Sequence, residues 1–397
     1  MNEMKGFPRE LLGRSKAERK TYFQQFTARH PQLNQAYDSL KCAVTEAQPG
    51  SLVLVLGPAG VGKTTLLGRV MKHLVEEVIA ELEEDRGRIP MAMVEAVAPD
   101  SGNFSWPDYY ERLLIALEEP LIGHKVERAG SKPGGQLSAR GRSDKAARVL
   151  RQSVEESIRH RRPCAVLIDE AQHLSTISSG RKLLDQLNCI KSLANMTRTT
   201  HVLAGTYELR EFRNLSGQLS RRSVDVHFQR YHADVPEERK AFINVLYTFQ
   251  KHLPLAEMPD LVDDWEYFYE RTVGCVGVLK DWLLRSLKLA IDSDKEKLTL
   301  DIIKKRALSV SQCNKLLAEA VEGEQALRED EKAQAELRAR LGLDSDKADD
   351  RRGPAGTSPA GTASANEKPS RQKSQRVGTR KPVRDSIGVS PSCRQNS

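Results

Sequence analysis

The stretch "LVLVLGPAGVGKTTLL", residues 52–67, constrains the fold more than any other feature of the chain. An unbroken aliphatic run leads into a glycine-rich turn that ends on Lys63, Thr64 and Thr65. Such a run predicts a strand buried on both faces, as in a parallel sheet covered by helices. Residues 57–64 fit the pattern G-x-x-x-x-G-K-[ST], and "TTLLGRVMKHLVEEV" after them reads as an amphipathic helix, so the strand–loop–helix context is present. In a loop of this kind Gly57, Pro58, Ala59, Gly60, Val61 and Gly62 wrap backbone around the β- and γ-phosphates of a nucleotide. Lys63 would add a point charge there, Thr64 would offer its hydroxyl to Mg²⁺, and Thr65 stands beside it at the helix start.

A second element, "CAVLIDEAQHLS", follows about a hundred residues later. Its apolar residues Ala165 to Ile168 lead to Asp169 at the predicted strand's C-terminal end, where open α/β sheets bind ligands. Asp169 is expected to hold Mg²⁺ through water, and Glu170 to orient and deprotonate an attacking water. A helix N-cap is the plain alternative for the acidic pair. Together the two elements predict Mg-dependent hydrolysis of ATP.

Around them the chain divides by pattern. Residues 1–49 read as a polar helical segment with Leu33, Tyr37, Leu40 and Ala43 at helical spacing. From 50 to 235 the runs "SLVLVLG", "MAMVEAV", "PCAVLID" and "THVLAGT" alternate with helical patterns, which predicts an α/β layered core. Residues 236–320 carry helical patterns alone and predict a small all-helical lid. Residues 321–344 read as a charged helix. Residues 345–397 hold eleven Lys/Arg against five Asp/Glu among Ser, Pro and Gly, so a disordered basic tail is expected. The six cysteines form no C-x-x-C pair, and no run reaches the ~18 apolar residues needed to cross a membrane. No apolar leader is visible at the N-terminus, and a soluble cytoplasmic protein is expected.

At this level the sequence resembles the AAA+ ATPases, and within them the TnsC/TniB-type regulators of DNA transposition. The resemblance rests on "LIDEAQHLS", "HVLAGTYELREFRNLSGQLSRRSVDVHFQRY" and "GCVGVLKDWLLRSL", and spans roughly residues 30–310. It implies that Thr206, at the end of "THVLAGT", is the sensor 1 residue facing the γ-phosphate, although a Thr opening a turn is the bland reading. It implies that Arg221 or Arg222 is the arginine finger reaching a neighbouring subunit's nucleotide, without choosing between them. It offers Lys280 for the sensor 2 position, where the family pattern has Arg; a solvated surface lysine is the other reading. It also implies a homo-oligomer, as a ring or helical filament on duplex DNA, that works with a transposase and with a target-selection protein or RNA-guided complex.

The net charge of +8 is consistent with an anionic partner. Between the two nucleotide elements, residues 123–148 carry Lys125, Arg128, Lys132, Arg140, Arg142, Lys145 and Arg148 against Glu127 and Asp144. Basic side chains on such a Gly-rich segment suit sequence-independent contacts to DNA phosphates, and a solvated loop is the competing reading. The resulting expectation is an ATP-dependent DNA-binding regulator that recruits or activates a transposase and is reset by hydrolysis. A helicase loader or replication initiator is the alternative, and a signalling ATPase of the STAND type a third.

Overall fold

The computed structural model describes residues 6–98, 104–124, 139–174, 181–211, 223–328 and 331–343. Five parallel strands form one sheet: β1 (Leu52–Leu56), β2 (Met91–Glu95), β3 (Ala165–Asp169), β4 (Thr200–Gly205) and β5 (Ser223–His227), in the order β2-β3-β4-β1-β5. Every residue of β1 and β3 is buried, as their unbroken apolar runs predict. Register sets Leu56 beside Gly205 and His227, and Ile168 beside Leu203, so the ends of β1, β3 and β4 come together at one edge.

Helices α1 (Lys16–Gln25) and α2 (Pro31–Thr45) precede β1, and α3 (Lys63–Glu77) and α4 (Ile79–Glu84) follow it. Helices α5 (Trp106–Ala116) and α6 (Ala139–Arg161) lie between β2 and β3, and α7 (Arg181–Thr197) between β3 and β4. Side chains alternate along each strand and so divide the core in two. Leu52, Leu54, Ile168 and Leu203 pack with Tyr109, Leu113, Val154 and Leu193 from α5, α6 and α7. Val53, Val55, Leu167 and Val202 pack with Leu40, Leu66 and Val70 from α2 and α3. Tyr109 and Tyr110 are buried at the start of α5, so the aromatics of "NFSWPDYYERLL" build core.

After β5 come α8 (Pro236–His252), α9 (Trp265–Thr272), α10 (Val276–Asp292), α11 (Leu300–Lys304) and α12 (Val310–Leu327). They enclose a third core of Phe242, Phe249, Phe268, Trp282 and Leu283, with the Trp282 indole donating to the Ile303 carbonyl at 2.9 Å. Helix α1 belongs here and not with α2. It buries Phe23 in this helical core, its Arg19 donates to the Pro254 carbonyl at 2.6 and 3.0 Å, and Lys16 pairs with Asp294 at 2.6 Å. The N-terminal segment expected as one unit is therefore shared between helical core and sheet.

The charged helix expected over 321–344 is two helices. Helix α12 opens on a capping box between Ser309 and Gln312 and buries Cys313, Ala320, Gly323 and Glu324. Small residues at 320 and 323 let it lie close to its neighbours despite its polar composition. Helix α13 (Glu331–Arg340) belongs to a separate compact unit, Asp330–Ser397. The tail called disordered above, 345–397, lies outside the described residues.

Candidate nucleotide site

The glycine loop is set by its neighbours. Gly60 and Gly62 have φ of +71° and +118°, the left-handed region that favours glycine. A Cβ on Gly57 would lie 2.4 Å from the Phe228 carbonyl oxygen, so the loop runs against the chain just past β5. Lys63 opens α3 with only 7% of its surface exposed, and its Nζ donates to the carbonyls of Gly57 and Pro58, each at 3.0 Å. Burial lowers its pKa, while the nearby charges of Glu170 and Asp169 act to hold the proton.

Residues far apart in sequence meet next to it. The Thr64 hydroxyl donates to Asp169 Oδ2 at 2.7 Å across 105 positions. Asp169 is buried at the end of β3, and its other oxygen accepts the backbone N–H of Glu170 at 2.9 Å. Glu170 sits at φ +50°, an uncommon conformation for a residue with a Cβ, which turns it off the strand. Gln172, from the turn Ala171–Leu174, donates to a Glu170 carboxylate oxygen and accepts the Thr206 backbone N–H at 3.3 Å. Thr206 follows the end of β4 and precedes the short helix Tyr207–Leu209, and its hydroxyl oxygen is buried without a hydrogen-bond partner. Gln172 was missed in the sequence, where only its place two residues after Glu170 marked it.

Two cavities flank the loop. One is lined by His30, Gly62, Thr65, Phe228, Gly277 and Lys280. His30 was also missed: "HPQ" reads as a helix start, and His30 does cap α2, accepting the Leu33 N–H at 3.3 Å. Burial, and then the charge of Arg69, push its pKa down to about 4, so the ring is neutral and keeps Nδ1 as an acceptor. The second and roomier cavity is lined by Pro58, Ala59, Thr206, Arg210, Glu319 and Glu322. Thr206 and Lys280 thus line different cavities, and Lys280 shares its own with His30.

Helix α12, whose Glu319 and Glu322 line this second cavity, is held in place by a buried ionic clasp. Arg230 donates to both Glu324 oxygens at 2.9 and 3.1 Å, and the His232 ring stands 3.2 Å from Glu324 and 2.9 Å from Glu238. Gly323 lies on the Tyr207 ring, where a Cβ would come within 2.1 Å, and Tyr207 bonds His227 at 2.8 Å. The hydrogen bond to Glu324 raises the pKa of His232 against burial, with Glu238 adding to it. Burial pushes Glu324 up, but His232 and Arg230 outweigh it and hold the pKa below the ordinary 4.5. A raised His contributes stability below its ordinary 6.5 and loses it as pH climbs through the folded value; a lowered Glu contributes above 4.5 and loses it as pH falls. The clasp is tightest between those values. His232→Gln is therefore expected to lower the melting temperature more at about pH 5.5 than at about pH 8.5. Equal losses at both would mean that His232 is neutral when folded.

Arg221, Arg222, Lys125, Arg128 and Lys132 lie outside the described residues. For Arg140, Arg142 and Lys145 only the backbone, at the start of α6, is described. Among the described residues no group of three or more His, Cys, Asp or Glu could hold a metal ion, and no helix is long and apolar enough to cross a membrane.

The AAA domain family matches residues 46–212. Among solved structures, the chain is similar to the ORC2 protein of Aeropyrum pernix in its ADPNP–ADP complexes, at 16% identity and a TM-score of 0.46. That alignment covers 71% of this chain and 66% of the other, just under two thirds. It is also similar to a Walker-type ATPase of Pyrococcus abyssi, at 18% identity and a TM-score of 0.36, over 80% of this chain and 77% of that one. No curated protein matches the sequence. With the AAA domain match over residues 46–212, the five-stranded parallel sheet, the glycine loop and the helices that follow fit an α/β AAA+ fold.

Proposed function

We propose that the chain is a Mg-dependent ATPase that assembles as a homo-oligomer on duplex DNA and recruits or activates a transposase, with hydrolysis resetting the assembly. The observation that carries the catalytic half is the continuous chain Thr64–Asp169–Glu170–Gln172–Thr206 across the ends of β1, β3 and β4. Hard oxygen donors 2.7 Å apart on Thr64 and Asp169 fit Mg²⁺, which when bound would neutralise charge on the transferring phosphoryl group. Lys63 and the loop amides hold the phosphates. Glu170 takes the proton from the attacking water, in a direction fixed by Gln172. Thr206 offers its unpaired hydroxyl to the γ-phosphate, and Arg221 or Arg222 acts in trans on a neighbour's nucleotide. His30, Phe228 and Lys280 line a recess beside the loop, toward which the base would extend.

The regulatory half rests on the sequence resemblance and on the basic segment 123–148. Replacing Lys125, Lys132, Arg140 and Arg142 together by Ala is expected to weaken binding to all duplexes alike. The slope of log K against log salt should become shallower by about 3 to 4, for four lost phosphate contacts. An unchanged slope would return this segment to solvated surface. Electron microscopy with an ATP analogue and duplex DNA tests assembly. Co-purification with a replicative helicase in place of a transposase would overturn the transposition reading.

A further inference from the structure

We propose that the phosphate loop itself caps helix α10, and that Gly277 is the positioning residue that allows it, so that the lid reads the loop's shape through one backbone hydrogen bond. The inference rests on the nucleotide reading above and names how that site communicates with the helical region.

The first N–H groups of a helix have no partner inside it and need an acceptor from elsewhere. A Ser, Thr, Asp or Asn before the helix usually supplies one. Here the residue before α10 is Cys275, which makes no such bond and is fully buried, with its thiol pushed up to about 12 by burial. The acceptor comes from the loop: Val278 N–H donates to the Gly60 carbonyl at 3.0 Å. The approach is too close for side chains on either side. A Cβ on Gly277 would lie 2.4 Å from the Gly60 oxygen and 3.1 Å from its carbon, both backbone atoms that cannot swing away. A Cβ on Gly60 would lie 2.4 Å from Val278 Cγ2.

The peptide unit between Gly60 and Val61 is the communicating part. Its carbonyl serves Val278, while its N–H points to the Pro58 carbonyl at 3.3 Å. A peptide unit is planar, so the two ends turn together. When a phosphate draws the loop's N–H groups inward, the same rotation changes the cap of α10. Glycine is a poor helix former, and its place in the first turn of α10 follows from this contact.

The test is hydrogen exchange of the Val278 amide in the full chain, with and without Mg-ADP. Without nucleotide, Gly277→Ala should speed that exchange by about fivefold, the worth of one helix cap, and weaken ADP binding by a similar factor. In the wild type, ADP should shift the exchange by about as much. Cys275→Ser places a hydroxyl where it can cap Val278 independently of the loop. It should keep ADP binding and lose the ADP-dependent shift, a pattern that a purely structural role for the contact would not produce. Wild-type exchange and affinity in Gly277→Ala, or ADP binding to the wild type with no shift at Val278, would overturn the coupling. A wild-type chain that binds no nucleotide would instead overturn the nucleotide reading, and the nucleotide-free comparison would still decide the cap.

Discussion

Replacing Glu170 with Gln is expected to lower ATP turnover by about 10²- to 10⁴-fold, the worth of a positioned general base, while nucleotide still binds. The amide keeps the shape of the carboxylate and can still meet Gln172, but it cannot take a proton from water. Lys63→Ala should act on the other step and remove binding, because it takes away a buried cation held against the loop carbonyls. Phosphate release and binding of a fluorescent ATP analogue, measured on both variants, separate the two roles. Turnover at the wild-type rate in Glu170→Gln would place the base elsewhere, whatever the binding result.

Much of this was legible because its causes are local. The runs at 52–56 and 165–168 could only be strands buried on both faces, and both are. The pattern Gly57 to Thr64 announces its loop because positive φ at Gly60 and Gly62 is a property of those residues themselves. What periodicity cannot carry is a distance. That Thr64 meets Asp169, and that Gln172 ties Glu170 to the backbone of Thr206, depends on the register between β1, β3 and β4. Gly277 looked like part of a loosely matching lid motif, and its meaning lies in an oxygen 217 positions earlier in the chain.

Helix α12 marks the same limit more sharply. Residues 310–327 are rich in small and charged residues, so their apolar stripe is narrow and does not say what the helix packs against. Its attachment is ionic and steric. Glu324 finds Arg230 94 positions away, and Gly323 finds Tyr207, so neither contact leaves a trace in the helix's own pattern.

That attachment gives the second large effect. Glu324→Ala should cost about 3–5 kcal/mol, because it leaves the buried Arg230 guanidinium without its carboxylate. At roughly 2–4 °C per kcal/mol for a domain of this size, the melting temperature should fall by about 10 °C. Replacing both partners by apolar residues of similar bulk, Arg230→Met with Glu324→Leu, removes the stranded charge and should recover most of the loss. Pairing of this kind therefore predicts strong non-additivity: the double variant is more stable than Glu324→Ala alone. Limited proteolysis gives the local readout, since α12 loses its main tether to the chain after β5 and should be cut within 310–327 well before the sheet is. A loss under about 1 kcal/mol, or a double variant no better than the single, would mean that the clasp is an ordinary surface ion pair. In that case Gly323 against Tyr207 would have to hold the helix by packing alone.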